Sequence, residues 1–244
     1  MGLFHSRNIG FPDFSPLGTD LHCHVLPGMD DGASTMNESI RMLTEMARLG
    51  FSKIIATPHV ISSLYPNTRD QIEGQVFHLQ EVIFDLKLDI LIEGSGEYHM
   101  DDELLGLVQK SEVIPFGQRN YLLIELPWEK PRFSYEEILR EIQILGYMPV
   151  IAHPERYGWM MGNMKLYQRL KDFGVLFQLN INSLNSLYGF PSKYAAHQLI
   201  DAGMISFAGS DAHYMGHITE LQKALQNSHF AKLVNSGTLL NGEL

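Results

Sequence analysis

The sequence holds a single cysteine, Cys23, which rules out a disulfide within the chain. It also lacks a basic segment leading into an apolar stretch near Met1, and any apolar run approaching the roughly 20 residues that span a bilayer. With neither a signal peptide nor a spanning segment in view, the expectation is a cytoplasmic protein with no stable membrane insertion. Basic residues are scarce as well: 18 Lys and Arg stand against 28 Asp and Glu, a formal net charge of −10. Sequence-independent binding to nucleic acid needs Lys and Arg to neutralise phosphates, so the balance argues against a nucleic-acid partner. Like-charge runs, low-complexity stretches and internal repeats are missing too, while hydrophobic residues make up 45% and charged residues 19%. That profile belongs to a folded globular chain and not to a disordered one.

What is present is an alternation. Residues 1–17, with Gly10, Pro12 and Pro16, read as an irregular lead-in, and residues 18–244 as one α/β domain. Seven mostly continuous apolar runs, Thr19–Val25, Lys53–Thr57, Asp89–Glu93, Tyr121–Leu126, Met148–Ala152, Val175–Ile181 and Ile205–Ala208, suit parallel strands covered on both faces. Segments of helical spacing lie between them. Thr35 with Glu38, and Ser134 with Glu137, are spaced for capping boxes. Gly50, Gly146, Gly174 and Gly203 stand where each helix must turn into the next strand. The repeated unit predicts a (β/α) barrel of about seven strands. The opening Met1-Gly2-Leu3-Phe4-His5-Ser6 matches the N-myristoylation pattern, a motif short enough to recur by chance.

Six of the seven runs are followed by residues able to ligate metal: His22 and His24 with Asp31, then His59, Glu97, Glu125, His153, and Asp211 with His213. Parallel strands closing into a barrel bring their C-terminal ends together, so ligands scattered along the chain would converge on one mouth. His22 and His24, one residue apart on a strand, face the same side and can grip one ion, whereas Cys23 points away and reads as a small buried apolar residue. A cysteine-phosphatase reading fails for the same reason, and because Met29 occupies the place where that chemistry wants an arginine. Asp30 and Asp31 sit on the loop before the first helix, where a carboxylate also serves as a cap, so only one of them need bind metal. Glu97 and Glu125, taken singly, read equally well as ordinary surface residues at strand ends. Gly94-Ser95-Gly96 is no dinucleotide fingerprint, since its third glycine would fall at His99. Arg156, three residues beyond His153, offers a fork for two phosphate oxygens, the bland alternative being a salt bridge to Glu155 or Asp201. The remaining histidines read as bystanders, with His99 and His217 near enough to the ligand segments to serve as reserves.

On these residues the chain resembles the polymerase and histidinol phosphatase (PHP) superfamily. More narrowly, Asp20-Leu21-His22-Cys23-His24-Val25-Leu26-Pro27-Gly28-Met29-Asp30-Asp31-Gly32 is similar to the opening motif of bacterial CpsB-type protein-tyrosine phosphatases of capsule and exopolysaccharide loci. The later motifs around His59, Glu97, Glu125, His153-Pro154-Glu155-Arg156-Tyr157 and Ser210-Asp211-Ala212-His213 follow in order, so the resemblance covers roughly residues 18–230. It implies a distorted seven-stranded PHP barrel holding three divalent ions. His22, His24, Glu97 and Asp211 would hold the first, Glu97, Glu125 and His153 the second, and Asp31, His59 and His213 the third. A nitrogen and oxygen donor set without thiolate leans towards manganese or iron over zinc. Four carboxylates against three divalent ions leave a site that attracts a phosphate dianion.

The resemblance further implies a phosphotyrosyl protein as substrate, most naturally a bacterial tyrosine kinase controlling polysaccharide export. A metal-bound hydroxide would attack phosphorus directly, with Arg156 stabilising the phosphoryl oxygens and Asp211 or a coordinated water assisting the leaving phenolate. Leu64 and Tyr65, in the apolar segment after His59, are placed to flank a phosphotyrosyl ring. Relatives carry a second arginine beyond the Asp-x-His motif, which this chain lacks, so Lys223 is its candidate replacement. Two other readings compete: a small-molecule phosphatase of the histidinol-phosphate kind, and a non-catalytic module stabilised by metal. Assembly into a homo-oligomer is left open by the sequence.

Overall fold

The computed structural model describes residues 10–244, so the myristoylation pattern and the start of the lead-in lie outside the described residues. Nine parallel strands run through it: β1 (Thr19–Cys23), β2 (Lys53–Ala56), β3 (His59–Val60), β4 (Leu91–Gly94), β5 (Glu97–His99), β6 (Tyr121–Glu125), β7 (Met148–Ala152), β8 (Leu176–Asn180) and β9 (Phe207–Gly209). Each of the seven expected runs overlaps one strand, with β4 and β9 reaching one residue further; β3 and β5 are additional and follow β2 and β4 after short breaks. Pro58 lies at the first break and cannot donate to a ladder. Pairing nevertheless carries across both, because Ser95 N donates to Ala56 O (2.8 Å) and Glu97 N to Pro58 O (3.0 Å).

The strands form a three-stranded sheet, β1-β2-β4, and a six-stranded sheet, β3-β5-β6-β7-β8-β9. Beyond the last strand, Asp211 N donates to His22 O (2.7 Å) and His24 N to Ala212 O (3.0 Å), which joins the end of β1 to the chain after β9. The result is an α/β fold whose parallel strands make a half-barrel, with strand C-termini gathered on one side.

Eight helices pack outside: α1 (Met36–Arg48), α2 (Arg69–Asp85), α3 (Leu104–Gln109), α4 (Tyr135–Ile144), α5 (Met164–Asp172), α6 (Gly189–Asp201), α7 (Met215–Leu221) and α8 (Ser228–Val234). Met42, Leu43 and Met46 form the buried stripe of α1 at the spacing an amphipathic helix requires. Its cap is only half the expected box: Thr35 accepts from Glu38 N (3.3 Å), but the Glu38 carboxylate turns to Ser34 N (2.8 Å) instead. Ser134 makes no cap bond at all, since its ψ of 86° turns it out of the extended cap geometry. The complete box is at Thr68 and Gln71, opening α2. Gly50, Gly146, Gly174 and Gly203 all have positive φ, between 64° and 97°, as the helix-to-strand turns demand.

The described end of the lead-in is irregular in backbone yet buried. Phe14 stacks on Phe51 (centroids 5.0 Å) and meets Phe230 edge-on (5.3 Å), with no exposed surface. Burying a phenyl ring of this kind contributes about 2–3 kcal/mol, enough to fix the chain entering β1. No helix among the described residues is long and apolar enough to cross a membrane.

Candidate metal centre and substrate cleft

The strand ends deliver the nine expected ligand residues to one place. Alternation along β1 turns His22 and His24 inward together and Cys23 outward into the core. Their Nε2 atoms face each other at 3.1 Å. Glu97, at the start of β5, lies at the centre: Oε2 is 3.3 Å from His22, 3.4 Å from His24 and 3.0 Å from His59 Nδ1, while Oε1 is 3.0 Å from His153 Nε2. Glu125 ends β6, 3.9 Å from His153 Nε2 and 4.0 Å from His59 Nδ1. Asp31, half exposed, stands 3.6 Å from His59 Nε2 and 3.5 Å from His213 Nε2. Asp211 Oδ1 closes the ring, 3.4 Å from His22 and 3.3 Å from His24.

Two of these residues sit in unusual backbone. His153 (φ 33°) and Asp211 (φ 51°) adopt the left-handed conformation without being glycine, which costs of order 1–3 kcal/mol each and persists where surrounding structure imposes it. Gly32 serves the same end by another route. A Cβ there would come within 2.2 Å of His24 O, so only glycine lets the Asp30–Gly32 loop press against β1.

The donors fit divalent cations. Among the described residues, four groups of three or four ligand atoms lie close enough to share an ion: His24, Asp31, His59 and His213; His22, His24 and Asp211; His22, Glu97 and His153; His59, Glu97 and Glu125. Glu97 Oε2 and His59 Nδ1 are buried and 3.0 Å apart, yet neither has a hydrogen-bond partner. A buried carboxylate oxygen facing bare imidazole nitrogens is costly unless a cation lies between them.

Protonation follows the same logic in the metal-free protein. Burial disfavours a charged His22, but Glu97 and Asp211 outweigh it and raise its pKa to about 9. His24 is raised well above the usual value, chiefly by Asp30 and against burial. Glu97 and Asp211 are held well below the usual carboxylate range by the surrounding imidazoles, again against burial, and for Asp211 by Arg156 as well. His153 goes the other way, lowered by burial and by Arg156. Asp211 is therefore ionised at neutral pH.

Sequence reasoning missed the residues that hold these side chains in place. Asp30 does not bind with Asp31; it is buried and accepts from His24 Nδ1 (2.7 Å), His59 N (2.8 Å) and Gly32 N (2.9 Å). Although burial favours its neutral form, His24 and these bonds keep its pKa at about 2. Gln178 Oε1 lies 2.9 Å from His22 Nδ1 and accepts from His153 N (3.2 Å). Asp20, near the start of β1, accepts from both the backbone N and the hydroxyl of Ser210, and burial pushes its carboxyl up to about 6. The two reserve histidines do touch the site, His99 Nδ1 at 3.3 Å from Glu125 and His217 Nδ1 at 3.2 Å from Asp211 O.

Arg156 pairs with neither Glu155 nor Asp201. Its Nη1 donates to Asp211 Oδ2 (2.6 Å), and the guanidinium lies over the Tyr188 ring (4.0 Å) and the Trp128 ring (5.0 Å). Asn180 supports the same carboxylate, donating to Asp211 Oδ2 (2.8 Å) and to Tyr188 Oη (3.1 Å). Trp128 also lies parallel to the His153 imidazole (5.8 Å, 4°). Lys223 is on the surface, bonded to Glu220 (2.7 Å), and does not line the cleft.

The cleft itself encloses about 240 Å³. Leu64, Tyr65, Trp128 and Arg156 line it together with carboxylates and imidazoles of the cluster. Tyr65 stacks on His59 (5.8 Å, 11°), and paired backbone bonds between Ile61 and Tyr65 hold the loop that carries it. An anion entering the cleft meets both the Arg156 guanidinium and the His, Asp and Glu cluster.

Comparison with known proteins points the same way. The family model "Capsular polysaccharide synthesis, CpsB/CapC" matches residues 18–230. The tyrosine-protein phosphatase YwqE of Bacillus subtilis is 33% identical over 195 residues, covering 80% of this chain and 76% of the relative. A crystal structure from work on YwqE of B. subtilis and CpsB of Streptococcus pneumoniae, described as unique metal-dependent tyrosine phosphatases, superposes with a TM-score of 0.77 at 31% identity, covering 85% and 86% of the two chains. A putative histidinol phosphatase from Listeria monocytogenes shares the fold at a TM-score of 0.50 and 12% identity, over 82% of this chain and 97% of that one.

Proposed function

The chain belongs to the CpsB/CapC family of capsular polysaccharide synthesis and is a metal-dependent tyrosine-protein phosphatase, and we propose that the nine clustered side chains and Arg156 carry that reaction. The observation that carries the reading is the cleft itself, where an aromatic-held guanidinium stands beside a floor of His, Asp and Glu. In this reading the fold is a single-domain distorted (β/α)7 PHP barrel, with β2 and β3, and likewise β4 and β5, each an interrupted single strand. His22, His24, Asp31, His59, Glu97, Glu125, His153, Asp211 and His213 would together hold three divalent ions. Manganese fits the thiolate-free donor set best. Such ions, when bound, supply Lewis acidity and lower the pKa of coordinated water.

The chain's own groups then do the following. Arg156 binds two phosphoryl oxygens through its fork, and Tyr188 and Trp128 fix its plane. Asp211 orients that guanidinium through Oδ2, while Asn180 fixes the carboxylate. Leu64, Tyr65 and Trp128, which line the cleft, exclude water around the phenyl ring of the substrate. Water adds to phosphorus as the bond to the phenolic oxygen breaks, a proton passing from that water to the departing phenolate, and no phosphoenzyme forms. The substrate is a phosphotyrosyl protein, most naturally a bacterial tyrosine kinase acting in the cytoplasm on polysaccharide export. The test is phosphate release from a phosphotyrosyl peptide and from histidinol phosphate by manganese-loaded protein, with a chelator control. Chelator-sensitive preference for the peptide is expected, and preference for histidinol phosphate would overturn the substrate assignment.

A further inference from the structure

Beside the catalytic cleft lies a second and larger cavity, of about 510 Å³, which no step of the reaction uses. The Ile61–Pro66 loop is the wall between the two: Ile61, Leu64 and Tyr65 line the cleft, while Ser62 and Pro66 line the outer cavity. That wall is braced, because Ser62 N and Oγ donate to Asp101 Oδ2 (3.0 and 2.7 Å). His99, which contacts Glu125 on the cleft side, lines the cavity from below. The loop therefore borders both spaces.

The cavity has an apolar floor and an acidic rim. Val60, Tyr98 and Leu104 form the floor, all nearly buried. Asp70, Glu103 and Glu112 stand on the rim, exposed to solvent. Asp101 is committed to the loop and to the start of α3, where it accepts from Glu103 N (3.0 Å) and Leu104 N (3.2 Å). The guanidinium lining the cavity, Arg69, is engaged by Glu73 (2.8 Å). What remains is an apolar slot ending in carboxylates, which is the complement of a long aliphatic stem carrying a cation. Lys and Arg bury such stems along apolar surface and keep the charged head at the rim.

We infer that this cavity is a substrate subsite that receives a Lys or Arg side chain flanking the phosphotyrosine. The inference rests on the phosphotyrosyl-protein reading of the adjacent cleft. An extended peptide advances about 3.3 Å per residue, so a residue two or three positions from the phosphotyrosine spans the loop. Complementary charge at an exposed rim is worth little per pair, but three carboxylates acting on one cation give about threefold to tenfold in selectivity at low salt.

The experiment compares kcat/KM for phosphotyrosyl peptides carrying Lys, Ala or Glu at each position from three before to three after the phosphotyrosine. Wild-type protein and the Glu103→Lys/Glu112→Lys double variant are both assayed, with chelator-sensitive hydrolysis of p-nitrophenyl phosphate as a separate readout of the catalytic site. The expected result is a preference for Lys over Glu of about threefold to tenfold at one or two positions, seen in KM, weakened by salt and lost or inverted in the variant. Equal rates for Lys and Glu peptides, or a preference that the variant retains, would overturn the subsite while leaving the phosphatase reading intact. If neither peptides nor p-nitrophenyl phosphate were hydrolysed in a metal-dependent way, the phosphatase reading itself would fall and the subsite with it.

Discussion

Replacing Asp30 by Asn should weaken metal binding without removing a ligand. The carboxylate accepts three hydrogen bonds, two at Oδ2 from His24 Nδ1 and His59 N and one at Oδ1 from Gly32 N. Asparagine has a single carbonyl oxygen, so it can satisfy either the pair or the Gly32 amide, and its NH2 then faces an N–H donor. The cheaper choice keeps the pair and abandons Gly32, at about 1–3 kcal/mol for a buried donor left unmet. The larger effect is on His24, whose Nδ1 loses a negative partner and whose Nε2 becomes a poorer donor to metal. Partners of this kind typically contribute 10- to 100-fold in metal affinity, or about 1.4–2.7 kcal/mol. The assay is calorimetric titration of metal-stripped protein with Mn2+, beside thermal melts to show that the variant folds. A folded variant with wild-type metal affinity would refute the assignment of Asp30 as the group that orients His24.

Arg156→Lys should lower kcat/KM for a phosphotyrosyl peptide by about 10²–10³, since a point charge replaces a fork held between two rings; steady-state kinetics near the wild-type value would remove it from phosphoryl binding. Leu64→Ala/Tyr65→Ala should raise KM for the peptide several-fold with little change in kcat, and Trp128→Ala should do the same while also loosening Arg156; an unchanged KM would show that the substrate ring does not use these walls. In the metal-free protein, His22 has a folded pKa of about 9 against 6.5 when unfolded, so its contribution is fully present below pH 6.5 and lost as pH rises through 9. Melting temperatures of chelated protein should therefore fall between pH 7 and 10, by the equivalent of on the order of 3 kcal/mol, and Mn2+ should remove the fall because it binds the neutral imidazole. A flat profile in chelator would contradict the burial of His22 between Glu97 and Asp211.

The clustering of the nine candidate side chains was legible because two regularities coincide. Apolar runs mark parallel strands, and donors placed just after each run must share the strand-end face. His22 and His24 were the plainest case, since a period of two fixes their common direction whatever the rest of the fold does. The supporting residues were harder. The Val175–Ile181 run was the one without a metal-ligating residue after it, yet it carries Gln178 and Asn180, two polar residues one apart inside an apolar strand. Read with the same period, they point to the side that His22 and Asp211 occupy, and the structure finds them there. Trp128 and Tyr188 left no such trace, because their contact with Arg156 depends on loops whose path no local pattern sets. The split of Asp30 and Asp31 into a buried brace and a half-exposed neighbour of His59 and His213 depends on how tightly Gly32 lets the loop approach β1. The breaks that create β3 and β5 were hidden for a related reason: Pro58 and Gly96 look like ordinary turn residues until pairing across them is seen.

The most direct test of the metal centre as the seat of phosphatase activity is to strip the protein of metal and follow phosphate release from a phosphotyrosyl peptide as Mn2+ is returned. Activity should be absent in the stripped protein and rise with bound metal to a plateau at the stoichiometry of the filled cluster. Full turnover by the stripped protein, with metal content verified by elemental analysis, would contradict the account.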